Sequence, residues 1–204
     1  MGSQALDKSI VSFWKTPDGR WVRLRPVAPG DLARMTAFFE GLSCATRYFR
    51  FGSCGFCFSA AQLAEICRPD PMRCRRFVVV SDELQGERQV ETQIACGRLW
   101  IEDDGSCELA IVVADAWQGA GVAGPLLRAL IQDARERGLS AIRARVLGSN
   151  TRMLALARRN GFAVTADSER APVRNLILPL DAAKEGGRLP SPVAIAEARH
   201  AAHA

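Results

Sequence analysis

Apolar and basic residues alternate along Trp21-Val22-Arg23-Leu24-Arg25-Pro26-Val27. That period of two predicts a first strand, ended by the proline. Pro29-Gly30-Asp31 then opens a helix over 31–41, with Leu32, Met35, Phe38 and Phe39 on one face. A second helical piece runs from Ser43 through Tyr48, and Ser59 reads as the N-cap of a third. The apolar run Arg76 to Val80 predicts a buried strand, followed by a polar turn over 82–87. Thr92 to Ile101 is a long strand, Asp103-Asp104-Gly105 a hairpin turn, and Cys107 to Ala114 the next strand. The period then changes. Leu126, Leu127, Leu130, Ile131 and Ala134 form one helical stripe, with Pro125 in the first turn and Gly138 at its close. Ala141 to Leu147 alternates as a strand, and Asn150 caps a helix bearing Met153, Leu154 and Ala157 that ends at Gly161. Phe162 to Thr165 and Val173 to Leu180 finish as strands. The order β, helices, βββ, α, β, α, ββ predicts an α/β fold with one mixed sheet rather than repeated βαβ units.

The weakly patterned residues 1–20 read as an N-terminal extension and 181–204 as a flexible tail, leaving one domain over 21–180. Apolar residues make up 48% of the 204, the composition of a soluble globular protein. The longest apolar runs fall far short of the ~20 residues that a membrane span needs. No charged start precedes an apolar stretch at Met1-Gly2-Ser3, so the expected location is cytoplasmic. The seven cysteines are odd in number and the chain is large, which argues for reduced thiols over a secreted disulfide framework. Cys54-Gly55-Phe56-Cys57, with Cys67 and Cys74, lacks the second paired knuckle of a zinc ribbon, and the expectation is no metal. His200 and His203 lie in the tail.

The net charge of +5 is unevenly spread. Between Gln118 and Asn160 stand eight arginines against two acids, Asp133 and Glu136. This excess surrounds Gly119-Ala120-Gly121-Val122-Ala123-Gly124, a match to G-x-G-x-x-G, and favours a phosphate-bearing ligand there. A dinucleotide site would place these glycines directly after a strand, with an acid ~20 residues on. Here Asp115-Ala116-Trp117-Gln118 intervene and the following strand carries arginines. A P-loop needs a G-K-S/T ending that is missing. No base-reading motif accompanies the arginines, which weighs against nucleic acid as the partner.

Gln118-Gly119-Ala120-Gly121-Val122-Ala123 resembles the Q/R-x-x-G-x-G/A motif of the GNAT superfamily of N-acetyltransferases. Asn150, with Gly161-Phe162 eleven residues later, is similar to the motif that follows it in that family. Leu42-Ser43-Cys44-Ala45-Thr46-Arg47-Tyr48-Phe49-Arg50-Phe51 resembles one branch, the acetyltransferase domain of bacterial protein-lysine acetyltransferases. The resemblance implies a mostly antiparallel sheet of six to seven strands with about four helices. It implies acetyl-CoA as co-substrate and a primary amine as acceptor, either a protein lysine or a small amine. The cofactor residues it implies are Ile111, Val112, Val113, Gln118, Gly119, Ala120, Gly121, Val122, Ala123, Gly124 and Asn150. Glu108, ten residues before Gln118, is the implied general base, its pKa raised by partial burial. Two departures stand out. Ala157 occupies the place of the family's acid tyrosine, and Ala120 a place where arginine or lysine is frequent. A non-catalytic acyl-CoA-binding regulator, a Rossmann-type NADP protein and a homodimeric assembly stay open at this point.

Overall fold

The computed structural model describes residues 12–85, 88–166 and 172–180. The expected tail, 181–204, lies outside them, as does the first part of the expected extension. The strands are β1 (Ser12–Lys15), β2 (Trp21–Pro26), β3 (Cys74–Gln85), β4 (Arg88–Ile101), β5 (Cys107–Val113), β6 (Ala141–Leu147), β7 (Ala163–Ala166) and β8 (Val173–Pro179). The helices are α1 (Leu32–Glu40), α2 (Cys44–Phe51), α3 (Ala60–Ile66), α4 (Ala123–Glu136) and α5 (Thr151–Arg159). The strands form one sheet in the order β1-β2-β3-β4-β5-β6-β8-β7. Only β5 and β6 run parallel. The α/β class and the single mixed sheet are therefore as expected, with eight strands and five α-helices among the described residues.

The two differences have local causes. Ser12–Lys15 is a short edge strand paired with Trp21–Leu24, and four residues carry too little alternation to announce it. The polar segment Asp82–Gln85, read as a turn, continues the β3–β4 ladder to Gln85↔Arg88. Backbone pairing does not require apolar side chains once a hairpin is in register.

The sheet separates two cores. On one face α4 lays Leu126, Leu127, Leu130 and Ile131 against Val79, Ala95, Leu99, Leu109 and Ile142. Gly97 of β4 makes this approach close, since a Cβ there would stand 2.7 Å from Leu130 Cδ1. On the other face Met35, Phe38, Leu42 and Leu63 cover Val78, Val80, Cys96 and Val112. Buried Asp31 ties the start of α1 to β2 through two 2.7 Å hydrogen bonds from Arg25. Burial works to raise the Asp31 pKa, but Arg25 and its other donors hold the carboxyl down at about 2.

Cys44 and Cys54 form a disulfide, which corrects the expectation of reduced thiols throughout. The chain reverses after α2 and returns Cys54 to a Cα separation of 4.5 Å, a proximity that cysteine counting does not report. Cys57 is exposed while Cys67 and Cys74 are buried. Among the described residues no group of three or more His, Cys, Asp or Glu could hold a metal ion. No described helix is long and apolar enough to cross a membrane.

Candidate functional site

The site begins where β5 and β6 part. They pair only at Cys107↔Ile142 and Glu108↔Arg143. Beyond Glu108 the edge of β5 that faces β6 is open. Its N–H groups follow from alternation: Ala114 donates to Ile94 O of the β4 side at 2.9 Å, so Val112 points the same way and Ile111 and Val113 point into the gap. Of the three strand residues expected at the cofactor, Ile111 and Val113 thus offer free backbone donors, while Val112 also lines the cleft. The gap continues into a cleft of about 980 Å³.

The floor of the cleft is the glycine turn. A 3-10 turn at Asp115–Trp117 ends the strand, and Gly119 and Gly121 follow at φ 83° and 75°. These left-handed conformations are cheap only for glycine. They aim the chain into α4, which starts without any side-chain cap. Its first N–H groups, those of Ala123 and Gly124, therefore remain free for an anion at the positive end of the helix dipole. Arg128 adds a full charge there, with Nη1 3.3 Å from where a Gly124 Cβ would stand. Arg152 and Arg159 line the cleft from α5, and Arg152 Nη1 donates to Gln118 Oε1 at 3.3 Å. Phosphate contacts are thus available although Ala120 is not basic. Ala120 itself packs against the core and does not line the cleft, whereas Gln118, Gly119, Gly121, Val122, Ala123, Gly124 and Asn150 do.

Asn150 Oδ1 accepts from Met153 N at 3.1 Å, so it caps α5 while also facing the cleft. Ala157 is fully buried in the core and Tyr48, the chain's single tyrosine, is exposed outside the cleft. No phenol therefore lines the cleft among the described residues.

The segment Ser43–Phe51 proves to be a clamp on this site. Asp115 accepts from Ser43 N at 2.9 Å, Ser43 Oγ at 2.6 Å and Thr46 Oγ1 at 2.7 Å. Burial acts to raise the Asp115 pKa, but these donors, led by Ser43, leave it below the ordinary carboxylate value. Gln118 Nε2 closes the network by donating to Thr46 Oγ1 at 2.9 Å and Val113 O at 3.3 Å. Arg47 donates to Glu40 O at 2.8 Å and thereby fixes the end of α1. A second clamp comes from the β1–β2 turn: Arg20 lies 3.4 Å over the Trp117 ring, and Pro17 stands where a Gly121 Cβ would meet it at 3.4 Å. Thr46 belongs to the Leu42–Phe51 segment that resembles one family branch, whereas Asp115, Arg128 and Arg20 were not singled out by motif, because each reaches the site through tertiary contact.

Glu108 corrects one premise. It was expected to be partly buried, yet its side chain is 52% exposed and bonded to Arg98 Nη2 at 3.1 Å. It sits at the last position where β5 pairs with β6 and does not line the cleft.

Residues 22–163 match the acetyltransferase (GNAT) domain family, and the chain belongs to it. An acetyltransferase of Pseudomonas aeruginosa is 32% identical over 154 residues, covering 74% of this chain and 80% of that protein. The GNAT domain of PAT from S. lividans superposes with a TM-score of 0.71 at 27% identity, covering 83% of this chain and 96% of that domain. The spermidine N-acetyltransferase of Vibrio cholerae, solved with CoA and spermine, shares the fold with a TM-score of 0.61 at 20% identity, over 78% and 95% of the two chains.

Proposed function

We propose that this acetyltransferase binds acetyl-CoA in the 980 Å³ cleft and passes the acetyl group directly to a primary amine. The observation that carries the reading is the parting of β5 and β6 after Glu108↔Arg143, which leaves the Ile111 and Val113 donors open beside the glycine turn. The pyrophosphate would meet the turn from Gly119 to Gly124, the free start of α4 and Arg128. The pantetheine arm would run along β5 past Asn150. A donor on β5 would hydrogen-bond the thioester oxygen and stabilise the charge that grows on it. The neutral amine attacks the carbonyl carbon, a C–N bond forms and the C–S bond breaks. The amine's surplus proton leaves to Glu108, directly or through water, and the thiolate is released and reprotonated. A thiol's ordinary pKa of about 8.5 makes that thiolate a tolerable leaving group without a tyrosine acid.

A protein lysine is the acceptor that the family branch suggests, and small amines are the alternative. The absence of a phenol from the described cleft favours, as second reading, a regulator that binds acyl-CoA without turnover. A turnover screen of acetyl-CoA against amines and a cell lysate separates the two. Transfer to an amine is expected, and Glu108→Gln should slow it at saturating acetyl-CoA. Tight binding with no transfer would support the regulator. Unchanged rates in Glu108→Gln would remove Glu108 from the mechanism.

A further inference from the structure

A second cavity, of about 370 Å³, lies on the α1–α3 face of the sheet. It shares two wall residues with the cofactor cleft, Arg50 of α2 and Val112 of β5. An acceptor bound in it would lie beside the cofactor cleft, at the wall formed by these two residues. The conclusion drawn from it rests on the acetyl-transfer reading above.

The charge of this cavity is unusual. Arg76 and Arg98 are direct cross-strand partners on β3 and β4, and like charges so placed oppose the pairing. Both side chains are partly buried, and the Nε of each is buried without a hydrogen-bond partner. The Arg76 guanidinium is partnered by thiols, Cys96 Sγ at 3.7 Å from Nη1 and the Cys74 side chain, and by no carboxylate among the described residues. Arg50 forms no hydrogen bond or ion pair among the described residues and lies 5.0 Å from the Phe51 ring. Burial first, and then the charge of Arg98, push the Arg50 pKa down to about 10. The single carboxylate bonded to this trio is the half-exposed Glu108, through Arg98. Glu65 and Asp70 also line the wall, but neither forms an ion pair among the described residues.

Three guanidiniums held together in a partly buried cavity destabilise one another unless an anion completes them. We propose that the cavity is the acceptor pocket and that the acceptor is an amine bearing a carboxylate, gripped by Arg50, Arg76 and Arg98. Guanidinium forks match a carboxylate in shape as well as in charge. The same field is hostile to a cationic chain, so a polyamine or an extended lysine side chain is disfavoured there. It also disfavours the ammonium form of the bound amine, which promotes the neutral nucleophile beside the thioester.

The test uses the full chain at saturating acetyl-CoA and matched acceptors. A panel of α-amino acids is compared with the corresponding decarboxylated amines, with spermidine and a lysine peptide as cationic arms. The carboxylated members should exceed their decarboxylated partners in kcat/KM by about tenfold or more. In Arg76→Gln and Arg50→Gln that ratio should collapse toward one, chiefly through KM, and Arg76→Lys should restore part of it. Equal or better use of the decarboxylated amines, preference for spermidine or the lysine peptide, selectivity unmoved by the variants, or no transfer to any arm would each overturn the proposal. Failure of the wild type to bind acetyl-CoA would instead overturn the reading on which it rests.

Discussion

Gly121→Ala isolates what the glycine turn contributes. Gly121 sits at φ +75°, and an added Cβ would meet nothing closer than Pro17 Cδ at 3.4 Å. The cost is therefore in the backbone conformation rather than in a clash. Holding an L-residue in the left-handed region costs about 1–2 kcal/mol. A substituted turn can avoid that cost by rotating its peptides, but the donors that face the cleft then turn away. Binding must supply the energy to restore them, so the Kd for acetyl-CoA should rise by about 5- to 30-fold. Gly138 is the control. It has φ +68° and open space around it, at the opposite end of α4. Gly138→Ala should lose similar stability and keep the wild-type Kd. Calorimetric titration with acetyl-CoA and thermal denaturation of both variants read the two quantities. Wild-type affinity in Gly121→Ala, or equal weakening in Gly138→Ala, would show that the left-handed turn does not hold the donors toward the cofactor.

Two other predictions test the clamps. Asp115→Asn should weaken the docking of α2 by about 1 kcal/mol, since a charged acceptor of three hydrogen bonds is lost at a partly screened site. Because the Asp115 pKa is lowered on folding, its contribution is complete above the unfolded value of about 4 and lost as pH falls through the folded value. The Tm gap between wild type and Asp115→Asn should thus be constant near neutrality and close in acid. A gap that persists unchanged into strong acid would contradict this. Arg20→Ala removes the cation from the Trp117 face and should cost about 0.5–1 kcal/mol, with a smaller rise in acetyl-CoA Kd than Gly121→Ala. A normal Tm in Arg20→Ala would show that the β1–β2 turn does not brace the site.

The parts of the fold that depend on local period were legible in the chain. The stripe Leu126, Leu127, Leu130, Ile131 and Ala134 predicted α4, and those five residues are its buried face. The four-residue link before Gly119 distinguished this turn from a dinucleotide site, and it folds as the 3-10 turn whose Asp115 anchors α2. Contacts between distant segments were not legible. Arg76 and Arg98 are unremarkable in sequence, Arg50 belongs to a segment read only for its family resemblance, and the three line one cavity only because α2 packs on β5 beside the β3–β4 pair. Glu108 was placed on its strand correctly, but its ion pair with Arg98 of the neighbouring strand is a contact that a one-dimensional pattern does not contain. The Cys44–Cys54 bond was missed for the same reason, and the strand Ser12–Lys15 because four residues carry too little alternation.

The central claim, that acetyl-CoA lies along the parted edge of β5 and on the glycine turn, is most directly tested by amide hydrogen exchange with and without acetyl-CoA. Slowed exchange is expected at Ile111 and Val113 and from Gly119 to Gly124. The Val112 amide, already turned to β4, should change least. Unaltered exchange at Ile111, Val113 and the turn while acetyl-CoA is bound would contradict it.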